Sequence, residues 1–383
     1  MKQKQQFSVQ FEYDVHYTEN LFSLENDVLA EVLGQNATKA LVVVDAGLLK
    51  VFPNLKSNIT TWMQAHPENV QLAGEIITLT GGEEVKNNWK VVETISDAVI
   101  KEKICRHSFV IIIGGGAILD AVGFGASVAH RGIQQIRIPT TVLSQDDSGV
   151  GVKNAINYRG LKNFLGCFDP PYAVINDYAF IRHLPKRDRL SGIAEAVKVA
   201  LIKDKEFFQY LADHSEQIRL GNDEVMKKVI ARSAEIHLQH IGGSGDPFEK
   251  GSSRPLDFGH WAAHKLEGLT NYEIRHGEAV IIGVLLDTII SKELGFLTEA
   301  ECTKITKVIE DCGFTLWHPA LEWYDEQGNW RLIQGLADFR EHLGGRLTLA
   351  MLTGIGQMCN IHELDSNLVQ KVLNEMKARY KAL

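Results

Sequence analysis

One apolar run leads directly into a glycine-rich turn: Phe109-Val-Ile-Ile-Ile-Gly-Gly-Gly-Ala-Ile-Leu-Asp120. A short run of β-branched residues without polar alternation is typical of a parallel strand that is buried on both faces. Glycines after such a strand allow the backbone N–H groups at a helix N-terminus to approach a pyrophosphate. The stretch lacks the GxGxxG spacing, so a tight turn that binds no ligand fits these residues equally well.

The sequence on both sides of this stretch continues the strand–helix pattern. Residues 40–45 form a second apolar run, and the apolar positions within residues 87–103 have helical spacing. Residues 135–139 and 172–176 are shorter strand-like runs. Strands that alternate with helices predict a parallel α/β layer. We therefore expect an N-terminal α/β domain, residues 1–182, that binds a dinucleotide.

The pattern changes in the second half of the chain. Helical periodicity with few β-branched runs is present in residues 192–211, 223–240, 277–294, 298–312 and 367–380. This pattern predicts an all-α C-terminal domain, residues 183–383, that binds metal and substrate.

Composition restricts the class of protein further. The 383 residues are 45% apolar and 23% charged, with a net charge of −8, which argues against a nucleic-acid partner. The polar N-terminus does not resemble a signal peptide, and no apolar run is long enough to cross a membrane. Five scattered cysteines without a CxxC pair fit a reducing compartment. We expect a cytoplasmic protein with two domains.

Two polar segments could bind phosphate. Gly81-Gly-Glu-Glu-Val-Lys86 lies between a short apolar run and a helix, and residues 144–157 form a loop that contains Asp147 and Lys153. Lys162 and Asn163 follow this loop. Lysine and asparagine beside glycine suit phosphate binding, although solvated loops have the same composition.

Three residues could bind a metal ion: Glu195, His260 and His276. Two histidines and one carboxylate leave open positions on Zn²⁺, as in a catalytic site. His260 and His264 are four residues apart and share one helix face. Ligands this far apart in sequence cannot be assigned from spacing, and each histidine alone is more often a helix cap or a core residue.

Taken together, the motifs resemble the dehydroquinate synthase superfamily of sugar phosphate cyclases. The resemblance depends on the order and spacing of GGExxK at 81–86, GGGxxxD at 114–120, PTTxLSQxDS at 139–148, SGxAExxK at 191–198, GHxxxH at 259–264 and HGEAV at 276–280. It implies bound NAD⁺, a divalent metal (Zn²⁺ or Co²⁺) held by Glu195, His260 and His276, and a homodimer.

The resemblance also implies roles for individual residues. The cofactor contacts would be Asp45, Glu83, Lys86, Gly115, Gly116, Asp120, Thr140, Thr141, Lys153 and Lys162. The catalytic groups around the substrate would be Asp147, Lys153, Lys198, Glu249 and His264. The remaining substrate and phosphate contacts would be Asn163, Asp257, Arg254 and Arg131, the last reaching across the dimer interface.

The reaction implied by the resemblance has five steps. Hydride passes to NAD⁺ from the ring carbon that bears a hydroxyl group, the hydroxyl loses its proton, and the ketone so formed acidifies the neighbouring C–H and permits phosphate elimination. Hydride then returns, the ring opens, and an intramolecular aldol step closes a carbocycle. Such an enzyme is a lyase without net redox change.

The sequence departs from true dehydroquinate synthases where those enzymes bind the substrate carboxylate. Gln239, Ser253 and Gln357 occupy the positions of three cations, and Asp257 replaces an asparagine. Each lost charge-assisted hydrogen bond costs about 1.5–3 kcal/mol. Residues 339–348 and Arg254-Pro255 resemble 2-epi-5-epi-valiolone synthases, which use sedoheptulose 7-phosphate. We therefore expect a substrate without a carboxylate.

Three alternatives remain open. The chain could be a genuine 3-dehydroquinate synthase of the shikimate pathway. It could be a metal-dependent alcohol dehydrogenase, although Lys153, Lys162 and Lys198 favour a cyclase. It could also be a non-catalytic homologue that only binds a sugar phosphate.

Overall fold

The computed structural model describes residues 1–35, 37–243, 246–250, 255–342 and 345–381. The chain divides into two compact units. The N-terminal unit comprises residues 1–140 and 148–183, and the C-terminal unit comprises residues 141–147 and 184–383. The short segment 141–147 joins the C-terminal unit because it packs against α-helical residue Gly192: a Cβ atom there would lie 2.4 Å from the Leu143 backbone nitrogen.

The N-terminal unit contains both strands and helices. Its strands are β1 (Asp14–Thr18), β2 (Thr38–Asp45), β3 (Val70–Leu72), β4 (Ile77–Leu79), β5 (Phe109–Gly114), β6 (Gln134–Pro139), β7 (Lys153–Tyr158), β8 (Leu161–Phe168) and β9 (Ala173–Asp177). Its helices are α1 (Val28–Leu33), α2 (Ala46–Val51), α3 (Leu55–Ala65), α4 (Lys90–Lys101) and α5 (Gly116–Val128).

A seven-stranded parallel sheet forms the core of this unit. The strand order is β1-β9-β6-β5-β2-β3, and β4 pairs with the second half of β2. Helices cover both faces, with Ile59 and Trp62 of α3 on one side and Ile95 of α4 on the other. Burial on both faces explains why β5 is an unbroken apolar run. The predicted parallel α/β domain is thus confirmed.

The sheet brings three chain segments to one edge. Because β2, β4 and β5 are parallel and adjacent, their carboxyl ends place Asp45, Gly81 and the Gly114–Gly116 turn on the same side. Ligands of open α/β sheets bind outside the carboxyl ends of the strands. β7 and β8 form a separate antiparallel hairpin in the same unit.

The C-terminal unit is helical apart from one hairpin. Its helices are α6 (Lys186–Lys203), α7 (Lys205–Asp213), α8 (Ser215–Leu220), α9 (Asp223–Gly243), α10 (His260–Leu269), α11 (His276–Glu293), α12 (Glu299–Asp311), α13 (Gln334–His342) and α14 (Ser366–Tyr380). Its antiparallel strands are β10 (Leu349–Gly354) and β11 (Gln357–Ile361), which the all-α expectation did not include. Within the described residues no helix is both long and apolar enough to cross a membrane.

Helix α11 is the central element of this unit. It packs against α6, α10, α12 and α14, and its residues are buried from Ala279 to Ser291. α10 and α11 both begin with a histidine, His260 and His276 respectively. Their contact therefore determines where these two side chains meet.

Candidate active site

The three predicted metal ligands lie together in the C-terminal unit. Glu195 comes from the middle of α6, where its side chain is fully buried. Its Oε1 atom lies 3.2 Å from His276 Nε2 and 3.6 Å from His260 Nε2. One ligand atom from each of the three residues lies within 4.8 Å of the others. A single metal ion could therefore contact all three.

Each histidine is oriented by a bond to its other ring nitrogen. His260 Nδ1 lies 3.1 Å from the Phe258 carbonyl oxygen, and His276 Nδ1 lies 3.2 Å from Glu267 Oε2. Such bonds fix the tautomer and leave Nε2 available for a metal. The sequence analysis did not predict a role for Glu267. This residue follows His260 by seven positions and thus lies on the same face of α10.

The carboxylate of Glu195 provides a test of whether a metal fits. Both of its oxygens are buried: Oε2 pairs with the Lys198 ammonium, and Oε1 faces the Nε2 atoms of His260 and His276. Burial opposes ionisation, but the Lys198 ammonium and the two imidazoles outweigh it and hold the Glu195 pKa well below its usual value. An ionised, buried carboxylate beside two oriented imidazoles is the donor set of a catalytic Zn²⁺ or Co²⁺ site.

Further predicted groups surround this triad. Lys198 pairs with Glu195 and is 2% exposed. Burial alone would lower the Lys198 pKa, but Glu195 and Asp147 reverse this effect and raise it. Asp147 Oδ1 lies 2.8 Å from His237 Nδ1, a partner that the sequence did not indicate. Lys198 is therefore held as a cation among carboxylates.

The other predicted substrate residues lie in several different places. The His264 ring centroid lies 5.4 Å from that of His260 and 6.2 Å from that of His276, on the exposed side of α10. Asp257 contributes to the field that raises the Lys198 pKa. Glu249 lies in the short described segment 246–250, with a positive φ of 46°. Arg254 and the neighbouring Ser253 lie outside the described residues.

The glycine-rich turn belongs to the N-terminal unit. Gly115 caps α5, and a Cβ atom on Gly116 would lie 2.7 Å from Ser148 Oγ. A Cβ atom on Gly114 would lie 2.8 Å from the Ile118 side chain. The Thr140 N–H group closes the turn by donating to the Gly114 carbonyl at 3.1 Å. Close packing against Ile118 therefore requires Gly114 even without a ligand, whereas a rotation of the Ser148 side chain would make room at Gly116.

Four predicted residues form a second cluster near this turn. Lys86 is 2% exposed, and its Nζ atom donates to Asp120 Oδ2 at 2.7 Å and to Asn163 Oδ1. Asn157 links the cluster to Glu83 through a 3.1 Å hydrogen bond. The GGExxK and GGGxxxD motifs thus meet through their final residues.

Asp45 organises the adjacent segment at the end of β2. Its Oδ1 atom accepts hydrogen bonds from the N–H groups of Gly47 at 2.8 Å and Gly81 at 3.2 Å. A Cβ atom on Gly81 would lie 2.1 Å from Asp45 Oδ2. The first glycine of the GGExxK motif therefore permits this carboxylate to approach.

The predicted phosphate lysines are not adjacent. Lys153 begins β7 opposite Phe168, whereas Lys162 lies at the turn end of β8, beside the Tyr158–Leu161 pair. Four or five residues of strand separate them, which corresponds to roughly 13–17 Å. The structure therefore places these two lysines at opposite ends of the hairpin.

Two family models match adjacent parts of the chain. The N-terminal model of 3-dehydroquinate synthase matches residues 76–191, and the C-terminal model matches residues 192–328. The chain belongs to the 3-dehydroquinate synthase family.

Individual relatives and solved structures agree with this assignment. The 3-dehydroquinate synthase of Sulfurovum sp. (strain NBC37-1) is 35% identical over 321 residues, which are 82% of this chain and 85% of that protein. The structure of ValA, a 2-epi-5-epi-valiolone synthase from Streptomyces hygroscopicus subsp. jinggangensis 5008 with NAD⁺ and Zn²⁺ bound, is 27% identical with a TM-score of 0.88. It covers 98% of this chain and 100% of its own.

A third comparison supports the fold alone. The structure of 2-deoxy-scyllo-inosose synthase with carbaglucose-6-phosphate, NAD⁺ and Co²⁺ is 19% identical, with a TM-score of 0.78 and coverage of 94% of this chain and 96% of its own. Membership of the 3-dehydroquinate synthase family confirms the predicted superfamily and fold class. It also confirms the coarser functional prediction, an enzyme of the sugar phosphate cyclase type.

Proposed function

We propose that this protein is an NAD⁺- and divalent-metal-dependent cyclase of a ketose 7-phosphate that lacks a carboxylate, such as sedoheptulose 7-phosphate. The proposal depends mainly on the Glu195, His260 and His276 triad, because its carboxylate is buried and its imidazoles are oriented by other bonds. Membership of the 3-dehydroquinate synthase family supplies the reaction type.

The choice of substrate is supported by the residues at the expected carboxylate clamp. Gln239 is exposed and donates to Glu235 Oε1 at 3.1 Å, so it is engaged along its own helix. Gln357 is an exposed, uncharged residue of β11. Neither can form the charge-assisted bonds that a carboxylate prefers. The likeness to ValA supports the same choice.

A genuine 3-dehydroquinate synthase is the rival candidate. The curated relatives at 31–40% identity carry that name, which favours a carboxylated heptulosonate phosphate as substrate. The two candidates share the metal triad and differ at the clamp.

The residues of the site divide the chemical work. Glu195, His260 and His276 would hold the metal, and the segments around Asp45, Lys86 and Gly115 would hold the cofactor. When bound, NAD⁺ would accept and return a hydride, and the metal would act as a Lewis acid on the oxygen attached to the carbon that is oxidised.

Proton transfer and charge stabilisation fall to the chain itself. Lys198 keeps its proton at neutral pH because Glu195 and Asp147 raise its pKa, so its Nζ atom can donate to a substrate oxygen. The carboxylate of Asp147 would act as a proton acceptor, and His237 Nδ1, 2.8 Å away, would hold it in place. Asn163 would donate to the phosphate, and Arg131 would do so from the second protomer of a homodimer.

A phosphate-release assay across C6–C8 ketose phosphates tests the proposal. We expect release from sedoheptulose 7-phosphate in the presence of NAD⁺ and Zn²⁺ or Co²⁺, with a carbocyclic product and no accumulation of NADH. Glu195→Gln should abolish release, whereas the exposed Glu216→Gln should leave it unchanged.

Other results would identify the alternatives. Efficient turnover of the carboxylated heptulosonate 7-phosphate, with no turnover of sedoheptulose 7-phosphate, would assign a genuine 3-dehydroquinate synthase. Net NADH formation with an alcohol would indicate a dehydrogenase. Tight binding of cofactor and metal without phosphate release from any sugar would indicate a non-catalytic homologue.

A further inference from the structure

Asp287 is the one ionisable side chain among the buried residues of helix α11. It is 1% exposed, and each of its carboxylate oxygens accepts one hydrogen bond from the start of α10. Oδ2 accepts from the Gly259 N–H group at 3.0 Å, and Oδ1 accepts from Trp261 Nε1 at 2.9 Å. The two donors are the residues on either side of His260.

The backbones of the two helices are also in close contact at this point. Gly259 has a φ of +77°, and a Cβ atom there would lie 2.5 Å from the Val284 nitrogen. A Cβ atom on Gly283 would lie 2.0 Å from the Gly259 carbonyl oxygen. Asp287 follows Gly283 by one helical turn and thus lies on the same face. The residues that flank His260 are therefore attached to α11 by side-chain and backbone contacts together.

Burying the carboxyl group of Asp287 costs more free energy than filling the same space with an apolar side chain. Burial raises its pKa to about 7, although the hydrogen bonds from Trp261 and Gly259 oppose this shift. A well-packed apolar residue usually avoids the desolvation penalty of a buried carboxyl group. What the carboxyl group provides instead is two directional bonds, which fix the backbone and the indole ring relative to α11.

We propose that Asp287 is a positioning residue that sets the metal affinity of the site by fixing His260 between Gly259 and Trp261. Its bonds go to the neighbours of His260 and not to the ligand itself, so it acts through the backbone of α10. The inference rests on the metal site of the proposed function. It adds Asp287 and Trp261 to the residues on which metal binding depends.

Two substitutions test the role of this carboxylate. Asp287→Asn keeps the shape but offers only one acceptor atom, so one of the two donors faces an NH₂ group. Trp261→Phe keeps an aromatic ring but removes the indole donor together with part of the buried ring. We expect Asp287→Asn to weaken Co²⁺ binding about tenfold, near the lower end of the range for direct outer-shell partners. Trp261→Phe should act in the same direction by a smaller factor.

The measurement is metal affinity rather than activity. Competition with a chromophoric chelator gives the Co²⁺ dissociation constant, and the visible absorption of bound Co²⁺ reports the geometry of its ligands. Thr288→Val is the matched control, because Thr288 is fully buried next to Asp287 and its hydroxyl donates to Val284 O within α11. We expect this control to lose stability without a change in Co²⁺ affinity or spectrum.

The outcomes separate the positioning role from the metal site. Co²⁺ affinities and spectra of Asp287→Asn and Trp261→Phe that equal those of the wild type would overturn the proposal. Equal weakening by Thr288→Val would also overturn it, because general packing of α11 would then be the cause. Wild-type protein that binds Co²⁺ no better than Glu195→Gln would remove the proposed metal site itself, and the positioning role with it.

Discussion

At the scale of single residues, Asp146 is a buried acid of the C-terminal unit with little to compensate its charge. Its side chain is fully buried, and neither carboxylate oxygen has a hydrogen-bond partner among the described residues. Burial raises its pKa well above the usual value, and the neighbouring negative charges of Asp147 and Glu195 add to the shift. Folding therefore favours the protonated form of the Asp146 carboxyl group.

This upward shift of the Asp146 pKa predicts a stabilising substitution. Asp146→Asn has nearly the same shape and needs no proton, so it should raise the free energy of unfolding at pH 7 by about 1–3 kcal/mol. The wild type binds the proton more tightly when folded, so its relative stability is greatest below pH ~4 and falls as pH rises. The advantage of Asp146→Asn should thus vanish in acid, as denaturant unfolding at several pH values would reveal.

A surface acid provides the control for this experiment. Asp97→Asn removes a charge from the exposed side of α4 and should show no comparable pH-dependent gain. A constant difference between Asp146→Asn and the wild type from pH 4 to pH 8 would contradict a raised Asp146 pKa.

The sequence identified single residues best where a motif contains them. Glu195, His260 and His276 were predicted and meet, as do Lys86 and Asp120. The residues that hydrogen-bond to these groups and orient them were not predicted, because such contacts depend on which helix faces meet in space. Glu267 could have been found from its helical spacing to His260, whereas nothing near His237 in sequence indicates its pairing with Asp147.

At the scale of elements, the contact between α6 and α11 fixes the position of His276. A Cβ atom on Gly277 would lie 1.7 Å from the Ser191 carbonyl oxygen, and the Gly277 N–H group donates to Ser191 Oγ at 3.2 Å. The second residue of α11 thus lies directly against the helix that carries Glu195. Only glycine permits this approach.

Gly277→Ala should therefore separate the two helices. We expect a loss of about 2–4 kcal/mol of stability, because overpacking forces backbone shifts, together with weaker metal binding through displacement of His276. Gly268→Ala is the matched control, since nothing lies within 4 Å of its added Cβ atom on α10. That control should be neutral or stabilising by up to ~1 kcal/mol from helix propensity. Thermal unfolding and Co²⁺ titration of both variants would distinguish these outcomes.

Some helices and strands were predicted wrongly because the local sequence pattern was misleading. The expected helix at residues 192–211 is two helices, because the carboxylate of Asp204 caps α7 by accepting from the N–H groups of Glu206 and Phe207. An Asp residue is a common helix N-cap and indicates that a new helix starts here. The helical spacing of the apolar residues on both sides of Asp204 hid this boundary. The β7–β8 hairpin lies in a polar stretch that suggested a loop, so its pairing could not be inferred from apolar alternation.

At the scale of the whole molecule, the chain crosses between its units more than once. Residues 141–147 belong to the C-terminal unit although the sequence on both sides belongs to the N-terminal unit. This places Thr140 and Thr141, adjacent residues of one motif, in different units. No composition change marks the crossing, because it depends on packing against Gly192 rather than on a linker.

The two predicted binding functions also follow this division. Asp45, Lys86 and Asp120 lie in the N-terminal unit, whereas the three predicted metal ligands lie in the C-terminal unit. A ligand that binds only the folded state stabilises it by about 2.7 kcal/mol at 100 times its dissociation constant. For units of this size, we expect each ligand to raise the melting temperature by roughly 5–10 °C.

Substitutions in each unit should then remove one shift and leave the other. Lys86→Met removes the ammonium that links Asp120 and Asn163, so the shift with NAD⁺ should disappear while the shift with Zn²⁺ persists. Glu195→Gln should show the reverse pattern, because it removes the charged ligand and leaves the glycine-rich turn intact. Thermal melts with each ligand alone and with both would measure this. If either variant lost both shifts, NAD⁺ and metal would bind as one coupled unit, and assignment of each ligand to its own part of the chain would be wrong.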